Sequence, residues 1–274
     1  RLLDVDKENM CLTPEIIRNS IRKNTKVVII VNLYGYPVNV EEIRSEIPEN
    51  IFIIEDCAES LGSYRGGIHC GKYSDFATFS FFGNKTITTG EGGMLYCSKE
   101  KDRHKARLLR DHGMKSNKRY WHDHIGYNFR MTNLQAAIGV AQLENIDNIL
   151  FQKNFVFNEY KKYLSPYGFH LHESHSPNIV NSHWLVVATH QRIKEFDVET
   201  LEYRFRLLGI DTRKVFYPLT DMPIYESISP GDYSNSIYLH KSSICLPSSP
   251  SLSSSQIMRV ANKLLMLLGF SQVA

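Results

Sequence analysis

The feature that most constrains this chain is a pair of short apolar runs with a helical segment between them. Residues 26–32 (KVVIIVN) and 51–56 (IFIIED) are almost continuously apolar, which is typical of strands buried on both faces of a parallel sheet. Residues 40–47 have helical spacing and a polar outer side. Because parallel strands need such a crossover, the first half predicts an α/β fold with a mixed, mostly parallel sheet.

The rest of the pattern predicts two domains. Further strands are expected at 76–80, 93–97 and 182–189, and further helices at 14–22, 102–112, 133–164, 198–208 and 256–268. The character of the sequence changes near Pro166. We therefore expect a large domain over residues 1–150, continued by a long connecting helix, and a smaller α+β domain over residues 151–274.

The start of the chain carries its own expectations. Residues 1–6 (RLLDVD) have the pattern of an interior strand. The sequence opens at Arg1 rather than at Met. We therefore expect that the natural protein has an N-terminal segment before this strand.

Composition excludes several classes of partner. Basic and acidic residues nearly balance at a net charge of +3, and no Lys/Arg block stands out, so nothing supports a nucleic-acid partner. We expect no membrane span and no signal peptide, and hence a cytoplasmic protein. The five cysteines lie far apart without zinc-type spacing, which predicts free thiols and no metal site.

Two segments could carry chemistry at the carboxyl ends of the predicted strands. Asp56 ends an apolar strand, where open α/β sheets bind ligands, although spacing alone favours the role of a cap for the next helix. Lys85 lies in a Gly/Thr-rich loop between two predicted strands and is a candidate amine nucleophile. A phosphate-binding loop and a plain surface lysine are the alternatives. The GxxxxGK[ST] spacing of nucleotide triphosphatases is absent.

A third segment, residues 126–133 (GYNFRMTN), precedes the long predicted helix. Thr132 or Asn133 could cap that helix. Asn128 and Arg130 could instead reach a neighbouring subunit, and spacing does not choose between these roles. The sequence has no GxSxG nucleophile elbow and no HExxH pair, which argues against a serine hydrolase and a zinc protease.

Taken together, these segments resemble the DegT/StrS family of sugar aminotransferases, which have the type I, aspartate-aminotransferase-like fold. The matching stretches follow one another in the family's order: IIEDCAESLGS (53–63), FATFSFFGNKTITTGEGGMLYC (76–97), RLLRDHGM (107–114), GYNFRMTNLQAAIGVAQLE (126–144), GIDTRKVFYPL (209–219) and CLPSSPSLS (245–253). Within the family, the chain is most similar to the GDP-perosamine synthase-like branch, which aminates C4.

The resemblance implies a pyridoxal 5′-phosphate (PLP) site. Lys85 is expected to form the Schiff base with PLP, and Asp56 to keep the pyridine nitrogen protonated so that the ring acts as an electron sink. Glu59 is expected beside the ring or its O3′, and Ser80 at the phosphate. Asn128 is expected to reach the phosphate from the partner subunit of a homodimer with shared active sites.

The resemblance also implies a reaction. The expected substrates are a nucleotide-linked 4-keto-6-deoxyhexose and glutamate, with Arg213 and Tyr217 as candidates at the substrate entrance. Two alternatives stay open. One is a pyridoxamine-phosphate-dependent sugar dehydratase, although such relatives have His in place of the lysine. The other is an inactive, truncated homologue with a binding role. The nucleotide carrier is not fixed by the sequence.

Overall fold

The computed structural model describes residues 1–173, 176–225, 227 and 231–270. Its strands are β1 (Val27–Val31), β2 (Phe52–Asp56), β3 (Tyr64–Arg65), β4 (Ile68–His69), β5 (Phe76–Ser80), β6 (Gly93–Cys97), β7 (His170–Leu171), β8 (Ile179–Val180), β9 (Val186–Thr189), β10 (Arg213–Lys214) and β11 (Ser243–Leu246). Its helices are α1 (Pro14–Arg18), α2 (Val40–Glu46), α3 (Glu100–Arg110), α4 (Asn133–Leu143), α5 (Ile146–Leu164), α6 (Gln191–Phe196), α7 (Val198–Leu207), α8 (Ser234–Ser242) and α9 (Ser254–Leu267).

The first half builds a four-stranded sheet in the order β1-β2-β5-β6. β1, β2 and β5 are parallel, and β6 is antiparallel to β5. This confirms the predicted mixed, mostly parallel sheet, and the predicted bounds of β5 and β6 agree with the structure to the residue. The strands form where the sequence places β-branched and aromatic residues between turn residues.

The two faces of this sheet differ. On one face, Ile30 of β1 and Ile53 of β2 are buried against α1 and α2. On the other face, Val27, Ile29 and Val31 are exposed. Because residues paired in register share a face, the chain of partners Val31, Asp56 and Thr78 places the end of β2 on this open face.

A second sheet, in the order β10-β11-β9-β7, is antiparallel throughout. Helices α5, α7 and α9 pack on it and form its apolar core, which includes Tyr160, Phe205 and Leu264. A three-stranded sheet, β4-β3-β8, joins the two halves. Helix α5 begins before residue 150 and packs into the second core. It therefore crosses the predicted domain boundary at 150/151, which stays a prediction.

Two details of the predicted secondary structure are wrong. The long helix expected over 133–164 is interrupted at Glu144–Asn145, because Asn145 has φ −109° and ψ 16° and its N–H bonds to Gln142 in a tighter turn. Residues 1–6, all of them described, belong to no sheet. There the carboxylate of Asp4 accepts hydrogen bonds from the N–H groups of Asn235 and Ser236 at the start of α8.

Among the described residues, none of the helices is both long enough and apolar enough to span a membrane.

Candidate active site

The loop that carries Lys85 is held on both sides by hydrogen bonds. The N–H of Phe81 donates to the carbonyl of Gly92, and the N–H of Thr89 donates back to Phe81, each at 2.9 Å, which closes the loop at its base. From α4, the amide of Gln142 donates to the carbonyl of Thr88 at 2.5 Å and accepts from its N–H at 3.0 Å. Helix α4 therefore fixes the loop, and with it the main chain of Lys85.

The amine of Lys85 lies beside a buried carboxylate. Nζ of Lys85 is 3.4 Å from Oε1 of Glu59, and both side chains are largely buried. The other oxygen, Oε2, accepts a hydrogen bond of 2.8 Å from the N–H of Tyr34. Burial raises the pKa of Glu59, against the opposing effects of the Tyr34 hydrogen bond and of Lys85. The pair is thus poised to hold or to pass a proton at the Lys85 nitrogen.

An indole ring covers the same amine. Nζ of Lys85 lies 3.9 Å from the centroid of the Trp184 ring, within cation–π range. The ring is fixed in turn, because its Nε1–H donates to the carbonyl of Asn84 at 2.8 Å and its face stacks on Tyr34 at 6.1 Å. Sequence reasoning missed Trp184, which lies 99 positions after Lys85. The available signal was a tryptophan near the start of the predicted strand 182–189.

Asp56 and Ser80 lie on the open face of the sheet. Oδ1 of Asp56 accepts from the N–H of Ala58 at 3.0 Å and from the hydroxyl of Thr78 at 3.3 Å. Both hydrogen bonds described for this carboxylate end on Oδ1, so Oδ2 is available to a ligand. Ser80 is two residues beyond Thr78 on β5, and its Oγ accepts from the N–H of Phe82 at 3.3 Å. Asp56, Thr78 and Ser80 therefore share one face of the sheet. Lys85 follows Ser80 by five positions in the chain.

The remaining predicted residues lie outside this group. Asn128 is exposed and pairs with Asp111 in an isolated β-bridge. Among the described contacts, none joins Asn128 to the other predicted site residues. Arg213 is exposed on β10, and the hydroxyl of Tyr217 lies 2.6 Å from Nζ of Lys214. The intervening Phe216 stacks on Tyr34 at 5.7 Å, which brings this segment next to the Lys85 cluster.

The residues present fit a PLP group. An amine for covalent attachment, a carboxylate with a free oxygen and a serine hydroxyl all lie at the carboxyl ends of β2 and β5, where open sheets bind ligands. The side chain of Lys85 is 14% exposed. Lys85 would hold the cofactor covalently, Asp56 would face its ring nitrogen and Ser80 its phosphate.

Fold and site together define an enzyme of the PLP-dependent aminotransferase class. A profile described as the DegT/DnrJ/EryC1/StrS aminotransferase family matches residues 1–265. The chain belongs to this family, and it is a PLP-dependent sugar aminotransferase.

Similar proteins agree with this assignment. The chain is 36% identical to a GDP-perosamine synthase of Vibrio cholerae over 263 residues, which are 94% of this chain and 71% of the relative. It is 37% identical to a GDP-perosamine synthase of Escherichia coli O157:H7, over 96% of this chain and 71% of the relative.

Solved structures show the same fold. PseC of Helicobacter pylori, an aminotransferase involved in the biosynthesis of pseudoaminic acid, superposes with a TM-score of 0.91 at 20% identity, over 98% of this chain and 73% of PseC. The sugar aminotransferase Spr1654 of Streptococcus pneumoniae in its PMP form gives a TM-score of 0.89 at 20% identity, over 98% of this chain and 74% of Spr1654. The predicted type I fold is confirmed.

Proposed function

We propose that this enzyme converts a nucleotide-linked 4-keto-6-deoxyhexose to the 4-amino sugar, with glutamate as amino donor. The observation that carries the proposal is the 36–37% identity to two GDP-perosamine synthases over at least 94% of the chain, with the lysine in place. GDP is therefore the first carrier to test.

The roles of the site residues form part of the proposal. The bound cofactor supplies an electron sink for the carbon that gains or loses a proton. Lys85 carries the amine that would act as base toward the α-carbon of the donor and then as acid, delivering that proton to C4′ of the cofactor. Glu59 and Trp184 hold the amine when it is free, and Asp56 holds the proton on the ring nitrogen. Ser80 binds the phosphate.

Transamination is favoured over sugar dehydration by the chemistry of Lys85. A primary amine can exchange with the amine of a donor amino acid on the cofactor, which an imidazole in the same place cannot do. The Lys85 amine is also held between a carboxylate and an indole face, at 3.4 Å and 3.9 Å. An inactive homologue would need no such arrangement.

We infer that the enzyme is a homodimer in which Asn128 of one subunit completes the other's phosphate site. Asn128 is exposed, and so are the large apolar side chains around it, Ile125, Tyr127 and Phe129. Such a patch is typical of an interaction surface. Arg213 and Tyr217 are proposed at the substrate entrance. All five cysteines are free, which suits a reducing cytoplasm.

The test is an assay of the purified enzyme with glutamate and 4-keto-6-deoxyhexoses on GDP, UDP and dTDP. We expect amino-sugar product with at least one carrier. Lys85→Ala should abolish turnover and the visible absorbance of the covalently held cofactor. Lys72→Ala, which removes an exposed lysine, is the matched control. Unchanged absorbance and turnover in Lys85→Ala would contradict the proposal.

A further inference from the structure

A second cluster of chemically active side chains lies behind Asp56, on the opposite side of β2. Side chains alternate along a strand, so Glu55 faces the buried side of the sheet while Asp56 faces the open one. Cys57 follows β2, and Cys70 follows β4. One carboxylate oxygen of Glu55 and the two Sγ atoms all lie within 4.8 Å of one another.

The carboxylate of this cluster is incompletely satisfied. Glu55 is only 1% exposed. Its Oε1 accepts a hydrogen bond of 2.7 Å from the amide of Asn32, but Oε2 is a buried oxygen without a hydrogen-bond partner in the part of the chain that the structure describes. No lysine or arginine forms an ion pair with it among the described residues. A carboxylate in such a place lacks the positive partner that buried charges need.

The two thiols are already in a polar setting. Cys57 is fully buried, and the amide of Asn32 lies 3.6 Å from its Sγ. Sγ of Cys70 contacts the hydroxyl of Ser60 at 3.2 Å. Nδ1 of the neighbouring His69 lies 3.7 Å from the same Sγ. A thiolate is the form that binds metals.

We propose that Glu55, Cys57 and Cys70 bind one zinc ion. Two thiolates and one carboxylate suit Zn²⁺, and two sulfurs on a tetrahedral zinc with Zn–S bonds of about 2.3 Å lie about 3.8 Å apart. The ligand atoms lie within 4.8 Å of one another, which agrees with this separation. Ser60 Oγ, which contacts both Cys70 and the Asn32 amide, is placed to fill the fourth position.

His69 orients this site without binding the metal. Its Nε2 accepts from the N–H of Gly62 at 3.0 Å, and its Nδ1 lies 2.7 Å from the carbonyl of Cys70, so both nitrogens are engaged. Such hydrogen bonding around a metal ligand is what fixes ligand orientation. Binding of Zn²⁺ displaces one proton from each thiol, and the ion would join the end of β2 to the turn after β4.

The test is the metal content of the purified holoenzyme after incubation with Zn²⁺ and desalting, measured by elemental mass spectrometry. We expect about one zinc per chain. Cys70→Ser and Glu55→Gln should each retain less than a tenth of this, whereas Cys97→Ser, which removes a buried thiol elsewhere, should retain all of it. Cd²⁺ added to the wild type should give a thiolate-to-metal charge-transfer absorbance. This measurement does not depend on the folding of any variant.

Three results would overturn the proposal. The first is a wild type that retains no zinc and gives no Cd²⁺ absorbance. The second is a Cys70→Ser variant that binds as much zinc as the wild type. The third is an intact mass that shows a Cys57–Cys70 disulfide in place of the metal. These readouts need neither substrate nor turnover. Failure of the zinc site is therefore distinguishable from failure of the proposed aminotransferase reaction.

Discussion

At the scale of single residues, the amine of Lys85 is held by two described contacts. A carboxylate lies on one side of it at 3.4 Å and the face of an indole at 3.9 Å. Both groups favour a cation, and a desolvated cation–π contact contributes roughly 1 to 2 kcal/mol. The same two groups are rigid, because Tyr34 donates to Glu59 and stacks on Trp184. The free amine therefore has one defined position rather than several.

Replacing Trp184 tests this placement. We expect Trp184→Leu to lower kcat/KM roughly 5- to 30-fold, the equivalent of about 1 to 2 kcal/mol, because the ring face is lost. Trp184→Phe keeps a ring face and should lose less. Steady-state kinetics measure both, with thermal unfolding to show that the variants are folded. Trp121→Leu, at the other, half-exposed tryptophan, is the control. Equal losses in the Leu and Phe variants would argue for a purely packing role.

The sequence could predict only those site residues that lie in a recognisable local pattern. Asp56, Ser80 and Lys85 each lie at the end of a strand or in the loop after it, where spacing and resemblance are informative. Trp184 reaches Lys85 only through the packing of the second half on the first. The zinc cluster was missed because Cys57 and Cys70, 13 positions apart, come together only through the folding of the β3–β4 segment between β2 and β5. The role of Asn128 stays a prediction.

At the scale of elements, the interruption between α4 and α5 divides one predicted helix into two helices that pack in different places. Helix α4 holds the Lys85 loop through hydrogen bonds between Gln142 and Thr88, and α5 packs on α9 in the second core. Within α5, Lys153 is buried, and its ammonium donates to the carbonyls of Trp184 at 3.0 Å and Ser248 at 3.1 Å. One helix thus ties down the main chain of the tryptophan that faces Lys85.

Lys153 predicts a pH dependence of stability. Burial lowers its pKa from 10.5 to about 8. Between these values the unfolded chain holds a proton that the folded chain has lost, so the free energy of unfolding rises with pH. From pH 8 to pH 10 we expect a gain of about 2 kcal/mol in the wild type relative to Lys153→Met. Urea unfolding at the two pH values measures it. Parallel pH profiles for the two proteins would contradict the expected pKa.

Predictions of elements succeeded where one local pattern decides the outcome. The bounds of β5 and β6 agree because apolar runs lie between turn residues, and Thr132 caps α4 with its hydroxyl on the N–H of Gln135. The interruption at Asn145 was missed because apolar spacing continues through it. Residues 1–6 have the pattern of a strand, but a strand also needs a paired neighbour, which no local pattern reports.

At the scale of the whole molecule, the open face of the first sheet and the segment around Asn128 both expose large apolar side chains. Ile29 is 61% exposed, Phe129 is 72% exposed and Leu134 is 80% exposed. Exposed apolar side chains of this size are typical of interaction surfaces when they form a patch. Because Asn128 contacts none of the other predicted site residues within its own chain, a role for it at the cofactor phosphate requires a second copy.

Subunit complementation tests this requirement directly. Lys85→Ala and Asn128→Ala should each be inactive or nearly so as pure proteins. In a mixed dimer with shared sites, one site carries both substitutions and the other carries neither. Random reassortment makes half of the dimers mixed, so activity should recover to about a quarter of the wild-type value. Mixing Lys85→Ala with Asp56→Ala is the control, because these residues belong to one subunit's β2–β5 region and their mixed dimers should have no intact site. No recovery with Asn128→Ala, matching the control, would place Asn128 in the same subunit's site and remove the reason for a shared dimer.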